Sequence, residues 1–178
     1  EETPLISCHV PAESCVTQIQ ALQLAWSLIS VRHHSSDPIS KAFKKVAQRN
    51  QWSAQGVEFF EESHGHGVAG MIDAKAILLG SEAFMKNASL DIPLALKHES
   101  QRQQIQGHRV CYMGWQGEVQ ALFVLREELI EGVDRVIGSF KGRFGVKQCI
   151  LATGADEILA RSSAHWLGAD RYRSNLTP

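Results

Sequence analysis

Apolar residues at spacings of three and four open the chain. Val16, Ile19, Leu22, Trp26 and Ile29 fall on one face of a helix that ends near His33. A second, shorter helix follows. Asp37 ahead of Pro38 predicts its start, because a carboxylate accepts from free helix N–H groups and proline suits the first helical position. Ile39, Ala42, Phe43 and Val46 supply its apolar face. The dozen residues before these helices, with Pro4 and Pro11, read as irregular. Beyond them the pattern shortens to strand periodicity. Strands are predicted over 57–61, 68–72 and 76–79, with the glycine-rich SHGHGVAG leading into the second and Asp73, Ala74 and Lys75 turning into the third. The third stops at Gly80, and Ser81 caps a short helix through Met85. Pro93 followed by LALKHESQRQQI predicts a polar, exposed helix. Strands over 109–115 and 118–125 flank Gln116-Gly117, a hairpin signal.

The tail has a different rhythm. Leu129, Val133, Val136, Ile137 and Phe140 predict a helix ending near Gly145. An apolar strand over 148–152 runs into Thr153-Gly154, and a helix over 156–167 stops at Gly168. Helix, buried strand, turn and helix make half of a doubly wound parallel sheet. The expected fold class is therefore α+β, an antiparallel sheet flanked by helices, with a partial doubly wound α/β fragment attached.

Composition narrows the function. Of the 178 residues, 44% are hydrophobic and 21% charged, which are globular proportions. Eighteen basic against nineteen acidic residues leave a formal net charge of −1, unlike a protein that binds nucleic acid by neutralising phosphates. No apolar run reaches the roughly 20 residues that span a bilayer, and the acidic start EETPLISCHV has no signal-peptide core. Cysteines 8, 15, 111 and 149 form neither a CxxC pair nor a zinc-finger spacing, so they read as reduced thiols of a cytoplasmic protein.

Candidate chemistry is thin. His64 and His66, with His33 and His34, are metal-ligand types, but no neighbouring carboxylate or cysteine completes a set, so solvated loop histidines are the plainer reading. Gly65, Gly67 and Gly70 could bring backbone N–H groups against an anion, yet neither a P-loop nor a Rossmann fingerprint is present, and a tight strand connection explains them as well. Gly80-Ser81 is open to the same two readings. Glu61 and Glu62 are adjacent on a strand and point to opposite faces. Glu127-Glu128 is likewise only a sequence pair, and no GxSxG elbow occurs.

The order of the pieces is more telling than any one of them. Helix, Ser36-Asp37-Pro38, helix, FFEESHGHGVAGMID, ILLGSEAF, GHRVCYMGWQGEVQALFVLREE, GVKQCILATGAD and LGADRYRSNLTP together closely resemble the cytoplasmic region of heavy-metal-transporting P-type ATPases. The resemblance implies three parts: a phosphorylation-domain connector over 1–12, a nucleotide-binding domain over 13–125, and part of a HAD-like phosphorylation domain over 126–178. It implies ATP (Mg-ATP in an intact transporter) as ligand, with Asp37, Gly65, Gly67, Val68, Gly80 and Ser81 at the nucleotide site and no catalytic residue in the chain. The implied partners are the rest of the phosphorylation domain, the actuator and the membrane domains, with no nucleic acid, and the isolated fragment would be a monomer. The family's phosphorylated DKTGT aspartate has no counterpart here, so the fragment alone is expected to be inactive. Its TGD appears as Thr153-Gly154-Ala155, with Asp156 one place later. Its nucleotide-orienting histidine is matched by Asp37, and a glutamate five residues earlier by Arg32, changes that lower the expected ATP affinity. The similarity of DPISKAF and LLGSEAF to copper transporters of that family favours copper as cargo. Two other readings stand beside this one. One is a degenerate domain with a structural or regulatory role; the other is a small histidine-based metal-binding module.

Overall fold

Residues 5–32, 37–126, 133–155 and 157–176 are described by the structure, a computed structural model. The first surprise is at the start, where the stretch expected to be irregular contains strand β1 (Leu5–His9). Its residues have no pattern that survives Pro4 and Pro11; the strand exists because it pairs with a partner more than a hundred positions away. Helix α1 (Gln18–Ser30) begins in a capping box, with Thr17 accepting from the Gln20 N–H and Gln20 reaching back to the Thr17 N–H. Its predicted face packs on the core through Ile29 and, half-buried, through Val16, Leu22 and Trp26, and small residues beside it lie deeper. Ala21, Ala25, Leu28 and Ile29 are buried, while Ile19 is 60% exposed. Two alanines at i and i+4 let the helix axis approach the sheet more closely than the larger side chains would.

Helix α2 (Pro38–Arg49) starts at the predicted cap, Asp37, and buries Ala42, Phe43 and Ala47. Then come β2 (Glu58–Ser63), β3 (Gly67–Ile72) and β4 (Lys75–Gly80), followed by short helix α3 (Glu82–Asn87) and α4 (Leu94–Ile105). The α4 pattern predicted an exposed helix, but Leu96, Ser100 and Gln103 are buried. Ser100 is there to take a 2.6 Å hydrogen bond from the buried Tyr112 hydroxyl. A polar residue on an inner face is invisible to a hydrophobic count. Strands β5 (Arg109–Trp115) and β6 (Glu118–Arg126) form the predicted hairpin, with Gln116 and Gly117 both at positive φ, as its tight two-residue turn requires.

The six strands make one antiparallel sheet in the order β1-β6-β5-β4-β3-β2. One face packs on α1 and α2 through Leu28, Phe43, Val68, Ile77, Met113, Trp115 and Phe123. The other packs on α3 and α4 through Met85, Leu96, Tyr112, Leu122 and Val124. This is the antiparallel sheet flanked by helices that the sequence predicts. Edge strand β2 carries a bulge between Glu58 and Glu61 that holds Phe59 at φ 50° and 77% exposed. Such a bulge, with charged residues beside it, blunts an edge against stray strand pairing.

The tail contributes α5 (Val133–Phe144), β7 (Ile150–Ala152), α6 (Glu157–Leu167) and β8 (Arg171–Arg173). β7 and β8 pair in parallel through α6. The β8 strand escaped the sequence pattern because RYR has no apolar run to mark it. Asp170 ties this unit together, accepting from the Cys149 N–H at 2.8 Å and from Lys141 Nζ at 2.8 Å. Those bonds, the Cys149 N–H first, hold its carboxyl below the usual range. Ser162 Oγ donates to the Ile105 carbonyl at 2.8 Å and fastens α6 to the end of α4.

The cysteines divide by depth. Burial pushes the Cys8 thiol up to about 12, and burial with a smaller push from the Asp37 charge does the same to Cys111. Cys15 is exposed and Cys149 half-buried. Because the thiolate is the nucleophile, iodoacetamide at pH 8 is expected to label Cys15 and Cys149 within minutes and to leave Cys8 and Cys111 unlabelled until the chain is denatured. Mass spectrometry of the native protein showing early alkylation at Cys111 would mean that the α1–α2 face opens readily.

Candidate functional site

Asp37 sits where three elements meet. Its backbone is extended, at φ −66° and ψ 150°, so its side chain can turn back over the first turn of α2. Oδ1 accepts from the Ser40 N–H at 2.9 Å and Oδ2 from the Ser40 hydroxyl at 2.7 Å. Oδ2 also receives Arg32 Nη1 at 3.1 Å. Arg32 lies just past the end of α1, and its Nη2 donates to Glu62 Oε1 of β2 at 2.6 Å. One guanidinium therefore bridges the end of α1, the start of α2 and the end of β2. His64, 93% exposed, lies with Nδ1 3.8 Å from the same Glu62 oxygen.

Glu62 is opposite Val68 in the β2–β3 ladder, and Ser63 is opposite Gly67, so the bridge adjoins the glycine turn. That turn is closed by the His66 N–H donating to the Ser63 carbonyl at 3.0 Å, with Gly65 at φ 75°. Gly65 meets no neighbour that a Cβ would strike, so its requirement is conformational. Gly67 is required for a different reason. Its backbone is not left-handed; a Cβ there would lie 2.5 Å from the Leu79 carbonyl oxygen, 2.6 Å from Phe84 Cδ1 and 2.8 Å from Gly80 Cα. Gly67 and Gly80 are register partners, pressed together beneath the Phe84 ring. Ser81 caps α3 by accepting from the Phe84 N–H at 3.2 Å, and its own N–H is taken by the His66 carbonyl at 2.8 Å.

The six residues singled out from the sequence thus separate. Asp37 and Val68 belong to the α1–α2 side, where Val68 is a core residue, 5% exposed. Gly67, Gly80 and Ser81 meet on the Phe84 side, and Gly65 occupies the tip of the turn. Two partners were missed. Glu62 stands out in the sequence only as the strand neighbour of Glu61, because its bridge to Arg32 depends on tertiary pairing. Phe84 was legible only as the third residue after a cap. Among the described residues, no three His, Cys, Asp or Glu side chains converge to hold a metal ion. His33, His34, Ser36, Glu127, Glu128, Leu129 and Asp156 lie outside the described residues.

The Thr153-Gly154-Ala155 turn lies elsewhere. Thr153 Oγ1 accepts from the Ala155 N–H at 3.1 Å. Together with His108, Arg109, Leu159 and Trp166 it lines a cavity of about 210 Å³ between the α4–β5 turn and α6. Burial, and then the Arg126 charge, lower the His108 pKa there.

The chain matches no protein-family model. It is similar to a probable cadmium-transporting ATPase of Staphylococcus aureus, 24% identical over 164 residues, which are 90% of this chain and 22% of that protein. It is similar also to a copper-transporting P-type ATPase of Rhizobium leguminosarum bv. viciae, 27% identical over 149 residues, 84% of this chain and 17% of that protein. The chain therefore spans about a fifth of the length of the curated relatives it matches. Among solved structures, a zinc-transporting PIB-type ATPase in its E2.Pi state aligns with 98% of this chain and 27% of its own, at a TM-score of 0.62 and 18% identity. The N-domain of HMA6, a copper-transporting P-type ATPase, aligns over its full length with 70% of this chain, at a TM-score of 0.55 and 20% identity. The similarity to heavy-metal P-type ATPases is thus seen in both sequence and fold.

Proposed function

We propose that this chain is the cytoplasmic nucleotide-binding part of a heavy-metal-transporting P-type ATPase, with copper as the cargo. In this reading, residues 13–125 hold ATP and 126–178 belong to the phosphorylation domain that receives the phosphoryl group on an aspartate outside the chain. Asp37, Gly65, Gly67, Val68, Gly80 and Ser81 form or support the nucleotide site, and the actuator and membrane domains complete the machine. No helix among the described residues is long and apolar enough to cross a membrane, which accords with a domain carried beside one. The reading is supported above all by the juxtaposition of the α2 cap with the Gly65–Gly67 turn through a single charged bridge. The chain's own contribution would be to bind and orient.

Asp37 decides how well it binds. Its carboxylate repels a polyphosphate, whereas a histidine would donate a hydrogen bond to one. Asp37→His is expected to lose about 1 kcal/mol of stability with the helix cap and to bind ATP more tightly than the wild type, whose Kd is expected in the millimolar range. Calorimetric titration of both proteins at the same salt concentration checks this. Micromolar binding by the wild type, or no gain in the variant, would place the nucleotide elsewhere.

A second reading is favoured by a specific observation. The Arg32 bridge sets two carboxylates beside the α2 cap, as would suit a degenerate domain with a structural or regulatory role. Saturating ATP that gives no heat and no chemical-shift change in the wild type would select it.

A further inference from the structure

Arg32 bridges two carboxylates, Asp37 at 3.1 Å and Glu62 at 2.6 Å, each a third or less exposed. For Asp37 the pairing is incidental to helix capping, since Ser40 already engages both of its oxygens. Glu62 is different. Among the described residues its carboxylate pairs only with Arg32 and, at 3.8 Å, the exposed His64. A carboxylate on an edge strand has every opportunity to point into water, yet this one is drawn in to a short, charge-assisted contact.

The helix that Asp37 caps is basic along its length. Helix α2 carries Lys41, Lys44, Lys45 and Arg49 and no acidic residue within Pro38–Arg49. Lys41 stands one turn beyond the cap and is exposed. The first turn of α2 presents N–H groups to an acceptor, and the Asp37 carboxylate occupies that position as a phosphate would. The Arg32 side chain is 28% exposed, so an anion from solvent can reach it. A guanidinium accepts carboxylate and phosphate in the same planar fork, which makes the two exchangeable on one arginine.

We propose that Arg32 is the anion-recognition residue of this site, and that Glu62 is a built-in competitor which a polyphosphate chain displaces from it. The inference rests on the nucleotide reading above and deepens it, naming the polyphosphate as the group Arg32 contacts. Glu62 leaves before Asp37, because Asp37 is also fastened by Ser40 and Glu62 is not. Affinity is then set by an exchange of one anion for another on a fixed cation. Removing the internal anion must strengthen binding, and removing the cation must weaken it.

The experiment is calorimetric titration of the 178-residue chain with sodium tripolyphosphate, ATP and adenosine at one ionic strength, in wild type, Glu62→Gln and Arg32→Gln. Glu62→Gln keeps the shape and loses the charge; it is expected to bind tripolyphosphate about 5- to 10-fold more tightly than the wild type. Arg32→Gln is expected to lose at least about 10-fold. Thermal melts confirm folding, and Arg32→Lys, which keeps the charge without the fork, serves if the glutamine variant does not fold; it is expected to fall between wild type and complete loss. Tripolyphosphate binding that is no tighter in Glu62→Gln, or that survives removal of Arg32, overturns the proposal. If ATP binds tightly but ignores Arg32, the nucleotide reading stands and this inference falls. If tripolyphosphate follows the expected order while ATP binds no better than it and adenosine not at all, the inference stands and the nucleotide reading falls. Absence of binding in all three proteins overturns both.

Discussion

Gly67→Val is expected to cost at least about 3 kcal/mol and to leave the β3–β4 end of the sheet unpaired. The cause is contact, not conformation. A Cβ at this position meets the Leu79 carbonyl oxygen at 2.5 Å and Gly80 Cα at 2.8 Å, and both are backbone atoms of the neighbouring strand. They cannot rotate aside as a side chain can. Phe84, the third contact, could swing away, but only by leaving the packing against Met85 and Tyr112. Inserting atoms into a filled space costs about 1–3 kcal/mol where neighbours can relax, and strand separation adds the ladder hydrogen bonds to that. Gly65→Ala is the control. Its Cβ would meet nothing, so only the left-handed backbone resists, at about 1 kcal/mol. Urea denaturation of the two variants separates the effects. A Gly67→Val loss below about 1 kcal/mol would mean that β3 and β4 part without penalty, and that the glycine pair is not what holds the turn.

Phe43→Ala is expected to cost about 3–5 kcal/mol, the usual range for deleting a fully buried phenyl ring. Phe43 is 1% exposed and meets Phe123 edge-on, with ring centres 5.1 Å apart at 80°. It is the anchor of α2 on the sheet, and α2 carries Asp37 at its first turn. The loss should therefore reach the Arg32 bridge as well as the core. Two measurements test this together: the urea midpoint, and the alkylation rate of Cys111, which lies on the same face of the sheet. A variant that melts early yet keeps Cys111 protected would show that α2 is held mainly by its other contacts, Ala42 and Ala47 among them.

How far the sequence disclosed this molecule depends on the range of the interaction concerned. Elements specified by neighbours were legible: Asp37-Pro38 as a helix start, Gln116-Gly117 as a hairpin turn, Ser81 as a cap. Each is a contest settled within about four residues. The β1 strand was not legible, since nothing within Leu5–His9 favours a strand until β6 lies beside it. On α1 the apolar spacing marks Val16, Leu22, Trp26 and Ile29, which pack on the core, but not Ala21 and Ala25, which lie deeper because the close approach to the sheet favours small residues. At the site, the type of residue was visible and the geometry was not. Asp37 stood out; its coupling to Glu62 through Arg32 did not, because thirty residues separate the last two in sequence. The glycines were visible too, but one motif concealed two separate physical demands, a left-handed turn at Gly65 and a close approach at Gly67.

The pairing of β1 with β6 has a mechanical consequence. Leu5 lies opposite Arg126 in the ladder, so the chain enters and leaves the six-stranded unit at adjacent points on one edge. Everything between them, helices included, is joined to the rest of the chain through these two adjacent strands, with the Ser162–Ile105 bond as a further tie. A longer polypeptide interrupted by such a unit has its own ends held a single strand spacing apart, about 5 Å, whatever size the unit grows to. The unit can then be lengthened, trimmed or exchanged without rearranging its host, which is the condition under which inserted domains are tolerated.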